Sequence, residues 1–219
     1  MTVHFVNLLE ELQRRSLRMA SLVEDMVEEA CEAVFEPTDA LARRVIIRDA
    51  EVDSEEVQVE SEVIRLMALY QPVGSDLRLL CTVLKVNNDL ERIADCAVNI
   101  AERAYHLDVG NVYQEAADLK EMFPTVRSIL RKALQAYSSG NVASAQEVLV
   151  GDDAIDALYG QIIRRIVDKA SSSPDVMASH LDVLSVAKNL ERIADHATNI
   201  AEDVIFLSTG RIVRHRGSG

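Results

Sequence analysis

The sequence predicts an all-α protein of two tandem three-helix bundles, related by pseudo-two-fold symmetry and containing six long helices. The first observation is composition: aromatic residues make up 4% of the 219 residues and Trp is absent. This balance favours helix-on-helix packing over a β-sandwich or barrel. The second is the scarcity of chain breakers, since only 8 Gly and 4 Pro punctuate the chain. The third is an internal repeat.

The repeat lies in two segments separated by 100 positions. Residues 84–107 read LKVNNDLERIADCAVNIAERAYHL and residues 184–207 read LSVAKNLERIADHATNIAEDVIFL, with 14 of these 24 positions identical. Helices of similar composition do not match this well by chance, so we infer duplication of a unit of about 100 residues.

Turn-forming residues divide the chain into six helical segments. We predict helices near 2–35, 38–70, 75–107, 124–138, 141–171 and 175–208. Pro124 is expected in the first turn of the fourth helix, although a kink inside a longer helix also fits. The predicted domains are a first three-helix repeat over 1–110, a second over 111–210, and a basic flexible tail over 211–219.

The charge balance excludes some functions. The chain carries a net charge of −13 at pH 7, which repels phosphate backbones and argues against direct nucleic-acid binding. Its three cysteines show no CxxC spacing, as expected in a reducing compartment. We see no signal peptide and no apolar run long enough to span a membrane. These features predict a cytoplasmic protein, peripheral to a membrane only through its partners.

Acidic residues form a narrow stripe beside the predicted buried face of each repeated helix. The apolar face of the first copy comprises Leu90, Ile93, Ala94, Ala97, Ile100, Ala101 and Ala104. The stripe comprises Glu91, Asp95 and Glu102, and the second copy repeats it as Glu191, Asp195 and Glu202. Asp49 with Asp53, and Asp152 with Asp156, add two carboxylate pairs at i, i+4 on other helices.

If the second helix of each unit faces the third, four carboxylates converge in each half. Such an oxygen cage suits a hard cation such as magnesium, manganese, iron or calcium, with zinc left open. The alternative is an ordinary solvated acidic face, with Arg92 and Arg192 offsetting Asp95 and Asp195. We rank Glu91, Asp95, Glu191 and Asp195 as the main candidates; the weaker ones are Asp49, Asp53, Asp152, Asp156, Glu102 and Glu202.

Other polar residues carry less weight. His196 follows Asp195, but the repeat places Cys96 at its counterpart, so the internal symmetry does not require an imidazole there. Asn199 either joins a polar network or faces water. Walker A, GxGxxG and HExxH patterns are absent, so we predict no catalytic residues and no enzyme activity.

Two signatures resemble those of the PhoU family. One is NDLERIAD at residues 88–95 followed by NIAE at 99–102, and the other is NLERIAD at 189–195 followed by NIAE at 199–202. QPVGSDLR at 71–78 and DAEVD at 49–53 are similar to other family segments. In copy one Cys96 departs from the histidine that the family often has there.

The resemblance implies a pair of three-helix bundles whose Glu/Asp-xxx-Asp motifs hold metal clusters in some members. Here those motifs fall on Glu91 with Asp95 and on Glu191 with Asp195. It further implies a homodimer that restrains the phosphate ABC transporter and helps its sensor histidine kinase report phosphate sufficiency. The expected function is therefore non-enzymatic negative regulation of phosphate uptake and of phosphate-starvation signalling.

Two alternatives stay open at this point. The first is a helical adaptor whose acidic stripes bind basic protein surfaces without metal. The second is a carboxylate-bridged di-metal enzyme, which typically uses Glu-x-x-His ligand pairs. None of the five histidines has a Glu three residues before it, which argues against the enzyme.

Overall fold

Six α-helices make up the fold of the described chain. The structure is a computed structural model that describes residues 3–36, 39–107, 112–170 and 176–213. The helices are α1 (Val3–Phe35), α2 (Asp39–Tyr70), α3 (Ser75–Ala104), α4 (Tyr113–Ser139), α5 (Val142–Ala170) and α6 (Met177–Thr209). The described residues contain no strand, and the all-α prediction is confirmed.

The packing repeats in the two halves. In the first half α1, α2 and α3 all contact one another, and in the second half α4, α5 and α6 do the same. The most extensive contact joins α3 to α6, the two helices that carry the sequence repeat. All seven predicted apolar positions of α3, from Leu90 to Ala104, are buried. The repeated helices therefore form the seam between the bundles.

The helix ends follow simple stereochemistry. Gly140 and Gly210 end α4 and α6 in the left-handed region, at φ 66° and 72°. A residue with a Cβ is strained there, so glycine stops the helix at low cost. The predicted boundary between residues 110 and 111 and most of the predicted tail, residues 214–219, lie outside the described residues.

The predicted start of the fourth helix is wrong. That helix begins at Tyr113, and Pro124 lies inside it. On both sides of the proline, apolar side chains are fully buried, including Leu119, Met122 and Val126. Tertiary burial of this face outweighs the hydrogen bond that proline removes from the helix.

The two halves differ at one end. In the first half an apolar cluster that includes Phe5, Leu9 and Leu80 closes the bundle. His180 is the counterpart of Leu80 in the second repeat. It is buried, and its Nε2 lies 3.8 Å from Oε1 of Glu115. Glu115 is buried too and pairs with Lys169 at 2.8 Å. The two halves therefore share their helix arrangement, but at this end the buried side chains are apolar in the first half and ionisable in the second.

Candidate metal centre and the seam between the repeats

The structure brings one group of predicted carboxylates together in the first half. Asp49 and Asp53 on α2 lie close enough to Glu91 and Asp95 on α3 for their charges to affect one another. Glu56, which the sequence did not single out, belongs to the same group. We call these five residues the carboxylate cluster.

Repulsion inside the carboxylate cluster shows in its pKa values. The pKa of Glu91 is raised by burial first and then by the charge of Asp95, with Arg92 acting in the opposite direction. The pKa of Asp49 is raised by burial and by Asp53 and Asp95. Burial and like charges both penalise the ionised form, so a cation among these oxygens would lower the cost of ionisation.

Arginine already offsets part of this charge. Arg92 places Nε 3.1 Å from Oε2 of Glu91 and donates from its Nη1 to Oδ2 of Asp95 at 3.1 Å. Among the described residues no three His, Cys, Asp or Glu side chains stand ready to hold one metal ion. The oxygen donors therefore suit a hard cation chemically, but the side chains must rotate to ligate it.

The second half presents a different surface. Lys188 donates from Nζ to Oε2 of Glu191 at 2.6 Å, and the charge of Asp195 also acts on this lysine. The first repeat has Asn88 at the matching position. An ammonium group thus already pairs with Glu191 and lies near Asp195, so the second stripe fits a metal less well than the first. Asp156 is exposed, and the side chain of Asp152 lies outside the described part.

The last two candidates lie apart from these groups. Glu102 is exposed beside Arg103 and His106. Glu202 lines a cleft of about 610 Å³ between α3 and α6. Eleven residues separate each of them from Glu91 or Glu191, which is about 16 Å along a helix axis. The stripe is continuous in the sequence, but it does not form one site.

A polar pair crosses the seam in that cleft. His196 Nδ1 lies 2.8 Å from Oδ1 of Asp89, and the same oxygen accepts a bond from Asn199 Nδ2 at 3.3 Å. Asp89 is buried. Sequence reasoning gave His196 little weight and left Asn199 open between a network and water; the structure places both in this network. The sequence feature that could have indicated this network is the difference between His196 and its counterpart Cys96.

This chain is a tandem three-helix-bundle protein. Its two repeats meet along α3 and α6, which run antiparallel and carry acidic residues beside their buried faces. The family model described as "PhoU domain" matches residues 16–104 and 119–204. This chain belongs to the PhoU domain family, and it is a non-enzymatic member.

Relatives match over nearly the whole chain. A Clostridium acetobutylicum protein named "Phosphate-specific transport system accessory protein PhoU homolog" is 35% identical over 94% of both chains. A Pseudomonas putida protein of the same name is 36% identical over 95% of this chain and 82% of its own.

Solved structures agree with the fold. The crystal structure of PhoU from Pseudomonas aeruginosa gives a TM-score of 0.91 at 32% identity, covering 94% of this chain and 100% of the other. The crystal structure of the phosphate transport system regulatory protein PhoU from Streptococcus pneumoniae gives 0.84 at 26% identity, with 95% and 99% covered. In the described ranges no helix is long and apolar enough to cross a bilayer.

Proposed function

We propose that this protein is a cytoplasmic negative regulator of phosphate uptake and of phosphate-starvation signalling. It acts through protein contacts with the cytoplasmic side of a phosphate ABC transporter and with a phosphate-sensing histidine kinase. The observation that carries the proposal is the full-length match to accessory proteins of phosphate-specific transport systems, with the family signature present in both repeats.

The surface of the chain supports a protein partner over nucleic acid. The net charge of −13 opposes contact with a phosphate backbone. Acidic flanks along α3 and α6 suit basic patches on partner proteins, and such contacts strengthen as salt is lowered. Any effect on transcription then passes through a partner. We further propose that the working form is a homodimer.

Within this function we propose that the carboxylate cluster takes one or more hard cations. The five acidic side chains and the raised pKa values of Asp49, Glu56 and Glu91 support it. A cation would neutralise part of the α2–α3 flank and so alter the charge that a partner meets. In the second half Lys188 already pairs with Glu191. This favours the alternative function, a helical adaptor that binds basic protein surfaces without metal, for that half.

Deletion of the gene in the source organism at high phosphate tests the regulatory proposal. We expect phosphate-starvation genes to switch on, because the restraint on the kinase is lost, and plasmid expression of this chain to switch them off. Transcript levels and phosphate uptake are the readouts. Unchanged transcripts and uptake in a strain without a second copy of the gene would contradict the proposal.

A further inference from the structure

The two repeats leave a groove between their first helices. α1 and α4 run antiparallel. Their contacts include a 2.9 Å hydrogen bond between the hydroxyls of Ser16 and Tyr137 and an edge-to-face contact of Phe35 with Phe123. Between these contacts lies a groove of about 650 Å³. None of the residues discussed above as metal ligands lines it.

The floor of the groove is apolar and reaches the core. Val27 and Leu130 line it and are at most 2% exposed. Cys31, Phe35 and Phe123 complete the apolar lining. Apolar side chains that enter here would therefore leave water and contact the main hydrophobic core, which is the favourable term in helix docking.

The rims of the groove carry opposite charges. Glu24, Glu28 and Glu32 lie along α1, whereas Lys120, Arg127 and Arg131 lie along α4.

Two ion pairs connect these rims across the apolar floor. Arg131 donates to Glu24 at 3.0 Å, and Arg127 lies 2.7 Å from Glu28. Both arginine side chains are about half exposed, and exposed ion pairs of this kind contribute little to stability. They can separate at low cost when other charges replace them.

A proline lies at the edge of the groove. Pro124 and Lys120 both line it, and proline has no N–H to donate to the carbonyl four residues earlier. The carbonyl oxygen of Lys120 therefore lacks its usual helical amide.

We propose that this groove binds one amphipathic helix of a partner protein. The helix has an apolar stripe, a basic edge that lies against α1 and an acidic edge that lies against α4. On binding, the ion pairs that cross the groove exchange for pairs with the partner, and the apolar stripe covers the floor. A second copy of this chain in a symmetric dimer fits less well, because it would set one concave groove against another. The inference does not depend on metal binding or on which phosphate protein is the partner.

The absence of Trp from the chain makes a direct test possible. The probe is a synthetic helical peptide of about 18 residues, with a leucine stripe that contains one Trp, a lysine edge and a glutamate edge. When it seats in the groove its Trp emission should shift to the blue, with no background from the protein. No shift over a full titration would overturn the proposal.

Matched variants locate the binding. Ser128 is exposed and lines the groove, so Ser128→Phe fills it without entering the core; Gln146→Phe adds the same ring on exposed α5. Ser128→Phe should weaken peptide binding about tenfold or more, whereas Gln146→Phe should leave it unchanged. Circular dichroism melting confirms that both variants fold. Equal binding by Ser128→Phe and wild type would place the peptide elsewhere and overturn the proposal.

A second peptide tests the charges assigned to the two rims. A sizing experiment tests whether the groove is occupied by a second copy of this chain. With both edges glutamate, the peptide should bind about tenfold more weakly, because one edge then faces the acidic rim. Equal affinity would contradict the assignment of charges. If sedimentation shows a wild-type dimer that Ser128→Phe converts to a monomer, the occupant is a second copy and the proposal is wrong.

Discussion

Single side chains make the two halves unequal despite their common origin. Asn88 in the first repeat corresponds to Lys188 in the second, and the lysine neutralises Glu191 locally. In the first half Glu91 shares its surroundings with other acids, and Arg92 is its close cation among the described residues. The difference between Asn88 and Lys188 therefore adds an ammonium group to the second flank that the first flank lacks.

The pKa of Glu91 leads to a prediction about pH and metal. Its pKa is raised in the folded state by burial and by neighbouring acids. Folding therefore loses free energy as pH rises from the ordinary glutamate value through the folded one. Glu91→Gln removes this cost and should stabilise the protein at pH 7 by about 0.5 kcal/mol, with no gain below the ordinary pKa. Thermal melts across pH measure the difference.

Manganese should stabilise wild type more than Glu91→Gln. A cation that binds only the folded state raises its stability by mass action, so Mn²⁺ at pH 7 should raise the melting temperature of wild type more than that of Glu91→Gln. Glu102→Gln is the control, because Glu102 is exposed and lies apart from the carboxylate cluster. An equal rise in all three proteins would argue against the proposed cation site.

At the scale of elements, α4 shows that tertiary contacts can override a helix breaker. The helix passes through Pro124 because its apolar face is buried on both sides of it. The same proline lines the α1–α4 groove. Pro124, which is unfavourable inside a helix, thus lies at a candidate binding surface between the two repeats.

Replacing this proline should stabilise the protein. Pro124→Ala restores an amide donor and a better helix former, so we expect the free energy of unfolding to rise by about 1–3 kcal/mol. Urea denaturation followed by far-UV circular dichroism measures it. Thr125→Ala, one position further on, keeps the proline and should give a smaller gain. No difference between these two variants would show that the proline is not strained in α4.

At the scale of the whole molecule, the α3–α6 seam lies on the pseudo-two-fold axis. Asp89 contacts His196 and Arg103 contacts Asp182, so α6 runs antiparallel to α3. The repeat offset makes Asn189 and Cys96 the symmetric counterparts of Asp89 and His196. Asp89 and His196 thus both differ from their counterparts in the other repeat. This is expected if each of the two side chains needs the other to satisfy its hydrogen bond.

A double-mutant cycle tests this dependence. Asp89→Asn removes the carboxylate charge beside His196, and His196→Cys removes the imidazole while Asp89 keeps its bond from Asn199. The double variant places at 89 and 196 the residue types found at the counterpart positions 189 and 96. We expect a coupling free energy of about 1–2 kcal/mol in chemical denaturation.

The pair of Arg103 with Asp182 is the matched control for the cycle. It joins the same two helices, but half of the Arg103 side chain is exposed. It should therefore show weaker coupling, about 0.5 kcal/mol. Coupling between Asp89 and His196 no larger than this would mean that the buried pair does not hold the seam.

The sequence by itself determined the six helices, the duplication and the buried face of α3, because helical periodicity and chain breakers act locally along the chain. It also placed Asp49 with Asp53 and Glu91 with Asp95 on shared helix faces, since i, i+4 spacing fixes which carboxylates lie side by side; their role as metal ligands stays a prediction. Only the tertiary structure decided that Glu56 joins them, that Lys188 separates the two halves and that the groove lies between α1 and α4. Those features depend on contacts between helices far apart in the chain, and no local pattern specifies which side chain meets which across a packed seam.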